Sequence, residues 1–84
     1  MKYVIKWDEQ SLEDLEKLDY TIAEKIILKV ESYLIQNPYE LGKPLSHEYS
    51  GLFRYRFGDY RIIYEVKESE VIIIKVGHRK DIYI

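Results

Sequence analysis

The chain has 84 residues, 46% of them hydrophobic and 14% aromatic, with a formal net charge of −2 and no cysteine. That length predicts a single domain over residues 1–84, and the apolar content is enough for one real core, which excludes a disordered chain. Lack of cysteine excludes disulfide frameworks and thiolate metal sites, and suits a reducing cytoplasm.

The charge is unevenly spread. Residues 1–42 carry five lysines against nine carboxylates, whereas residues 43–84 carry eight cations against six carboxylates and hold all four arginines. An overall negative charge argues against a general nucleic-acid binder. Arginine is nevertheless the side chain best suited to bidentate contact with phosphate, and it is concentrated in one half.

In chain order, Lys2 to Trp7 alternates Tyr3, Ile5 and Trp7 against Val4 and Lys6, which predicts a strand covered on one face. Asp8 or Ser11 can cap a following helix, whose buried stripe is read as Leu12, Leu15 and Leu18. Asp19 or Thr21 starts a second helix with Ile22, Ile26, Val30 and Tyr33 at helical spacing, beside Ala23, Ile27 and Leu34. Asn37-Pro38 is expected to stop it, because the residue before proline avoids helical geometry. The two helices read as an antiparallel hairpin. Tyr39 to Gly51 reads as a loop. It holds Lys43 and His47, either of which can reach a phosphate.

Three strands follow. Arg54 and Arg56 point one way in the first, and Phe53, Tyr55 and Phe57 the other. Taking Gly58-Asp59 as a two-residue turn sets Phe57 against Tyr60 and Arg56 directly opposite Arg61. Facing like charges are unfavourable unless something anionic lies between them. A second turn falls around Lys67–Glu70, and Val71 to Val76 is apolar on both faces, as in an interior strand. The fold class expected is α+β: an N-terminal strand, an antiparallel helical hairpin, then a three-stranded antiparallel meander.

The chemistry concentrates after that last strand, where Gly77-His78-Arg79-Lys80-Asp81-Ile82-Tyr83 brings together an imidazole, two cations and a phenol. With Arg54, Arg56 and Arg61, this segment is expected on the sheet face away from the helices. Several fixed cations, a group that ordinarily titrates at about 6.5 and a phenol suit phosphoryl transfer. Two histidines among scattered carboxylates show no metal-ligand spacing, and neither Ser46 nor Ser50 sits in a nucleophile motif. Neither a metal nor a small-molecule cofactor is expected. The longest aliphatic run, Val71 to Ile74, is far below a membrane span, and the N-terminus lacks a signal-peptide core. A soluble cytoplasmic protein with no membrane partner is expected.

Gly51-Leu52-Phe53-Arg54-Tyr55-Arg56, Gly58-Asp59-Tyr60-Arg61-Ile62-Ile63-Tyr64 and the Gly-His-Arg-x-x-x-Tyr ending together resemble the RelE branch of the RelE/ParE toxin superfamily, over nearly the whole chain. The resemblance implies a toxin of a type II toxin–antitoxin pair, neutralised by a RelB-like protein antitoxin. It further implies a ribosome-dependent endoribonuclease that cuts mRNA in the A site by 2′-OH attack on the adjacent phosphate, without metal, leaving a 2′,3′-cyclic phosphate. Carried over, Arg61 matches the family's phosphate-binding arginine, Arg79 the arginine that stabilises the transition state or leaving group, and Tyr83 the tyrosine near the C-terminus. Arg54 and Arg56 stand where the best-studied branch has two lysines, one of them the suggested general base. An arginine hardly ever gives up its proton, so that role passes first to His78 and then to Tyr83, or to the ribosome. The catalytic set expected is thus Arg56, Arg61, His78, Arg79 and Tyr83, with Lys43, Arg54 and Lys80 holding RNA. Two alternatives share the fold: a ParE-like toxin that poisons gyrase by contact alone, and an inert relative that only pairs with an antitoxin.

Overall fold

A computed structural model of the chain describes residues 2–82. It has a five-stranded sheet in the order β1-β5-β4-β3-β2, with two helices on one face. The strands are β1 (Val4–Trp7), β2 (Lys43–Pro44), β3 (Leu52–Phe57), β4 (Tyr60–Lys67) and β5 (Glu70–His78). The helices are α1 (Glu9–Glu16), α2 (Tyr20–Ser32) and the single turn α3 (Pro38–Leu41). The expected α+β architecture is present, with β1 and the short β2 added at opposite edges of the three-stranded meander.

Alternation settles how β1 lies. Tyr3, Ile5 and Trp7 pack against the core, while Val4 and Lys6 face out. β1 runs parallel to β5, with Val4 opposite Glu70 and Trp7 opposite Ile73. Asp8 ends the strand and caps α1. Its amide donates to the Ile73 carbonyl, and its carboxylate accepts from the Ser11 amide at 3.0 Å. Where β1 stops, α1 takes over the edge of β5, and the Val76 amide donates to the Asp14 carboxylate at 3.0 Å. That bond satisfies a backbone donor which would otherwise lack a partner beside the helix.

Asp19 caps α2 by accepting from the Thr21 amide. Ala23, Ile26 and Val30 of α2, with Leu15 of α1 and Leu34 just beyond, pack onto Ile62 and Tyr64 of β4 and Val71, Ile73 and Val76 of β5. Trp7 ties β1 to α2 through Nε1–H donated to Glu31 at 3.0 Å. Burying this many aliphatic side chains at roughly 1.5–3 kcal/mol each is the main source of stability.

Three local expectations are corrected. Leu12 is not part of the buried stripe; it is 48% exposed, because α1 is only eight residues long and presents little more than Leu15 to the sheet. α2 ends at Ser32, before Asn37-Pro38, and a 3-10 turn at Leu34–Gln36 carries the fully buried Leu34 inward. Pro38 then opens α3 rather than closing a helix, as suits a residue with no amide proton at a first helical position. Tyr39 to Gly51 is therefore more than a loop: it contains most of α3, β2 and a 3-10 turn at His47–Tyr49. Its anchor is Tyr64, fully buried, whose hydroxyl donates to the Pro38 carbonyl at 2.6 Å.

Candidate active site

The Gly58-Asp59 turn fixes the central geometry. Gly58 takes φ 57°, the left-handed value that a two-residue hairpin turn asks of glycine. The register that follows puts Phe57 opposite Tyr60 and Arg56 opposite Arg61. Phe53, Tyr55 and Phe57 pack towards the helices, with the Phe53 and Tyr64 rings stacked 5.5 Å apart. Arg54, Arg56 and Arg61 are thereby placed on the open face.

On that face Arg54, Arg56, Arg61, Arg79, Lys80 and Ile82 line a shallow concavity of about 330 Å³. A second hollow of about 290 Å³ shares the three strand arginines and extends to Leu41 and Lys43. β2 brings Lys43 there, since it pairs directly with Arg54. Both the strand arginines and the loop lysine singled out in the sequence are gathered on one surface. Arg61 is held by its own turn, with Nη1 donating to the carbonyls of Gly58 and Tyr60, both at 3.0 Å. Those bonds fix the guanidinium without neutralising it. Partial desolvation, then Arg56, Arg54 and Arg79, push Arg61 below the usual arginine range, with Asp59 pulling the other way. This mutual repulsion is what an incoming anion would relieve.

Arg79 reaches the same concavity from the tail after β5. Its amide donates to the Asp59 carbonyl at 2.7 Å, and its Nε lies 3.5 Å from the Asp59 carboxylate. Both groups are more than half exposed, so the pair steers the side chain and adds little stability. The tail can fold over the sheet because Gly77, opposite Arg61, has no side chain: a Cβ there would lie 3.1 Å from Ile82.

His78 is not brought to this site. β4 and β5 shift register between Ile63 and Tyr64: Ile63 pairs with Lys75 but Tyr64 with Ile73, leaving Ile74 over. One extra residue reverses every later side chain. Val76 and His78 consequently face the helices, and Gly77 takes the arginine side. His78 packs edge-on against Tyr60, with centroids 5.4 Å apart. It lines a separate cavity of about 440 Å³ with Asp14, Lys17, Asp19, Lys75 and Asp81 among others. Its Nδ1 accepts the Lys80 amide at 3.1 Å. A neutral imidazole with Nδ1 so used carries its proton on Nε2 and has no lone pair left to act as a base. Tyr83 lies outside the described residues. His47 stays exposed in the 3-10 turn, its Nδ1 3.1 Å from the Ser46 hydroxyl. Among the described residues no group of three or more His, Cys, Asp or Glu could hold a metal ion, and no helix is long and apolar enough to cross a membrane.

Comparison with known proteins identifies the family and the fold. Residues 5–83 match the family described as the ParE toxin of the type II toxin–antitoxin system parDE. The chain is 34% identical to Toxin RelG of Mycobacterium tuberculosis over 99% of its length and 98% of the relative's. It is 38% identical to Toxin RelE of the same organism over 83% of this chain and 74% of that one. Among solved structures, it superposes on a chain of the M. tuberculosis RelBE2 toxin–antitoxin complex with a TM-score of 0.89 and 31% identity, covering 94% of this chain and all of that one. A chain of the RelB–RelE antitoxin–toxin complex of Methanococcus jannaschii gives 0.74 and 30%, with 93% and 94% covered. The protein is a member of the RelE/ParE superfamily of type II toxin–antitoxin toxins, on its RelE branch.

Proposed function

We propose that this toxin is a ribosome-dependent endoribonuclease that acts in the cytoplasm and cuts mRNA in the A site by attack of a ribose 2′-OH on the adjacent phosphate. The observation that carries this reading is the gathering of Arg54, Arg56, Arg61, Arg79 and Lys80 around one open concavity. Arg56 and Arg61, facing each other across the β3–β4 pair, hold the non-bridging oxygens of the scissile phosphate. Arg79 meets the charge that develops on the phosphorane and leaving oxygen. Lys43, Arg54 and Lys80 hold flanking phosphates, positioning the strand without reading its bases. Fixed cations aimed at developing charge lower the barrier most when they need no rearrangement, as with an Arg61 already fastened to its turn. The 2′-oxygen bonds to phosphorus, the 5′-oxygen leaves with a proton, and the products are a 2′,3′-cyclic phosphate and a 5′-OH, with no metal required. The 2′-OH proton passes to Tyr83 in its phenolate form or to a ribosomal group, not to an arginine and not to His78, and the leaving 5′-oxygen takes its proton from water.

The partner that holds this toxin in check is a RelB-like protein antitoxin. Solved relatives named as RelB–RelE complexes support it, and so does an arginine face that acidic side chains can cover. The decisive experiment adds purified protein to a translation extract with one defined mRNA and maps the 3′ ends. Discrete cuts inside A-site codons, absent with Arg61→Ala, are expected. An mRNA left intact while the protein still arrests growth refutes the reading. A second reading, favoured by the ParE description of the matching family, is a toxin that poisons gyrase by contact. It requires gyrase-dependent DNA breaks together with intact mRNA.

A further inference from the structure

The tail that presents Arg79 and Lys80 is held by backbone amides, and their acceptors converge on one residue. The Arg79 amide donates to the Asp59 carbonyl at 2.7 Å. Those of Asp81 and Ile82 donate to the His78 carbonyl, at 2.8 and 3.2 Å. Lys80 donates to a side chain, the His78 Nδ1 at 3.1 Å. Three of four consecutive amides are thus satisfied by His78, and Ile82 closes the turn against Gly77. The ring is steadied edge-on by Tyr60, on the far side of the sheet from the arginines.

We propose that His78 is a positioning residue of the arginine site: by accepting the Lys80 amide it locks the 78–82 turn that sets Arg79 and Lys80 over the concavity. The inference rests on the reading of that concavity as the phosphate site. It assigns the imidazole a geometric task in place of proton transfer. Without the ring the Lys80 amide loses its acceptor, and the turn is left with backbone bonds alone. Arg79 and Lys80, both exposed, then sample positions away from the phosphate. A short acceptor two residues before an amide is the arrangement that asparagine makes in an Asx turn, with Oδ1 where Nδ1 stands. Glutamine puts its oxygen one bond too far.

The test compares His78→Asn, His78→Gln and His78→Ala, with Arg61→Ala alongside, in ribosome-dependent cleavage of one mRNA. Exchange of the Lys80 amide proton is followed by NMR on the same proteins. His78→Ala is expected to cut about tenfold more slowly, the rate equivalent of one ordinary hydrogen bond, with faster exchange at Lys80. His78→Asn should restore both, and His78→Gln neither. Asparagine has no nitrogen that can take a proton, so a general base could not be replaced in this way. If Arg61→Ala is inactive and His78→Asn is as impaired as His78→Ala, the positioning role is wrong although the arginine site stands. It is equally overturned if Lys80 exchange rises in His78→Ala while cleavage is unchanged. Full activity of Arg61→Ala overturns the site reading and this inference with it.

Discussion

Removing the Tyr64 hydroxyl tests how the basic face is tied to the core. Tyr64 is fully buried; its hydroxyl donates to the Pro38 carbonyl at 2.6 Å and is also bonded by the Gly42 backbone. Tyr64→Phe keeps the ring stacked on Phe53 but strips these groups of their partner. Losing a buried hydrogen bond while its partners stay behind costs about 1–3 kcal/mol. In a domain of this size each kcal/mol lowers the melting temperature by roughly 4–8 °C. Gly42 supplies an independent arm. Its φ of −96° suits any residue, so glycine is needed there only for space: an added Cβ would collide with the Tyr64 hydroxyl and lie 2.7 Å from the ring carbon bearing it. Gly42→Ala should therefore cost about 1–3 kcal/mol by overpacking. It should cost less in the Tyr64→Phe background, where the oxygen is gone. Thermal unfolding of the four proteins, followed by circular dichroism, measures the cycle. An unchanged melting temperature for Tyr64→Phe, or strict additivity with Gly42→Ala, refutes the reasoning.

Burial, followed by the nearby Tyr55, raises the Tyr64 phenol above its ordinary value. The folded state thus favours the neutral phenol: this contribution is complete below about pH 10 and is lost as pH rises beyond it. Alkaline unfolding should accordingly be less steep in Tyr64→Phe, as chemical denaturation at a series of pH values would reveal. Arg61→Ala and Arg79→Ala should each slow mRNA cleavage by about 10²–10³ with the fold intact, by analogy with loss of one oxyanion donor; single-turnover rates and circular dichroism separate the two effects. Arg56→Gln relieves the repulsion opposite Arg61, so its melting temperature should rise while its cleavage rate falls. Both moving in the same direction would show that the pair is not a functional strain. Asp14→Ala removes the acceptor of the Val76 amide and should cost about 1–3 kcal/mol, read as a shift in the denaturation midpoint.

The hairpin of β3 and β4 was legible in the sequence because its alternation is strict and Gly58-Asp59 sets the register. Opposition of Arg56 and Arg61 follows from those two facts alone. The helix starts were legible as short polar residues ahead of apolar periodicity; of the pairs left open, Asp8 or Ser11 and Asp19 or Thr21, the structure uses the aspartates as caps. Around the bulge Ile72, Ile73 and Ile74 are identical, so the extra residue itself goes unmarked; only Lys75, on the open face with Glu70 five residues earlier, betrays the change of parity. That one unmarked residue decides that His78 faces Tyr60 instead of the arginines. β2 was missed for a different reason. Two residues carry no periodicity, and Pro44 reads as a strand breaker, although an edge position tolerates it. The concavity itself came from strand alternation combined with a glycine at 77, whose significance lies in Ile82 folding back over it.

The parallel pairing of β1 with β5 sets a schedule for synthesis. Val4 finds its neighbour only when Glu70 exists, and the sheet stays open along that border until β5 has been made. Arg79 and Lys80 come later still, and they supply the last cations of the concavity. A nascent copy that has emerged only as far as β4 therefore has Arg54, Arg56 and Arg61 in hand but no finished pocket. The basic concavity is complete only once the turn after β5 has folded back over Gly77.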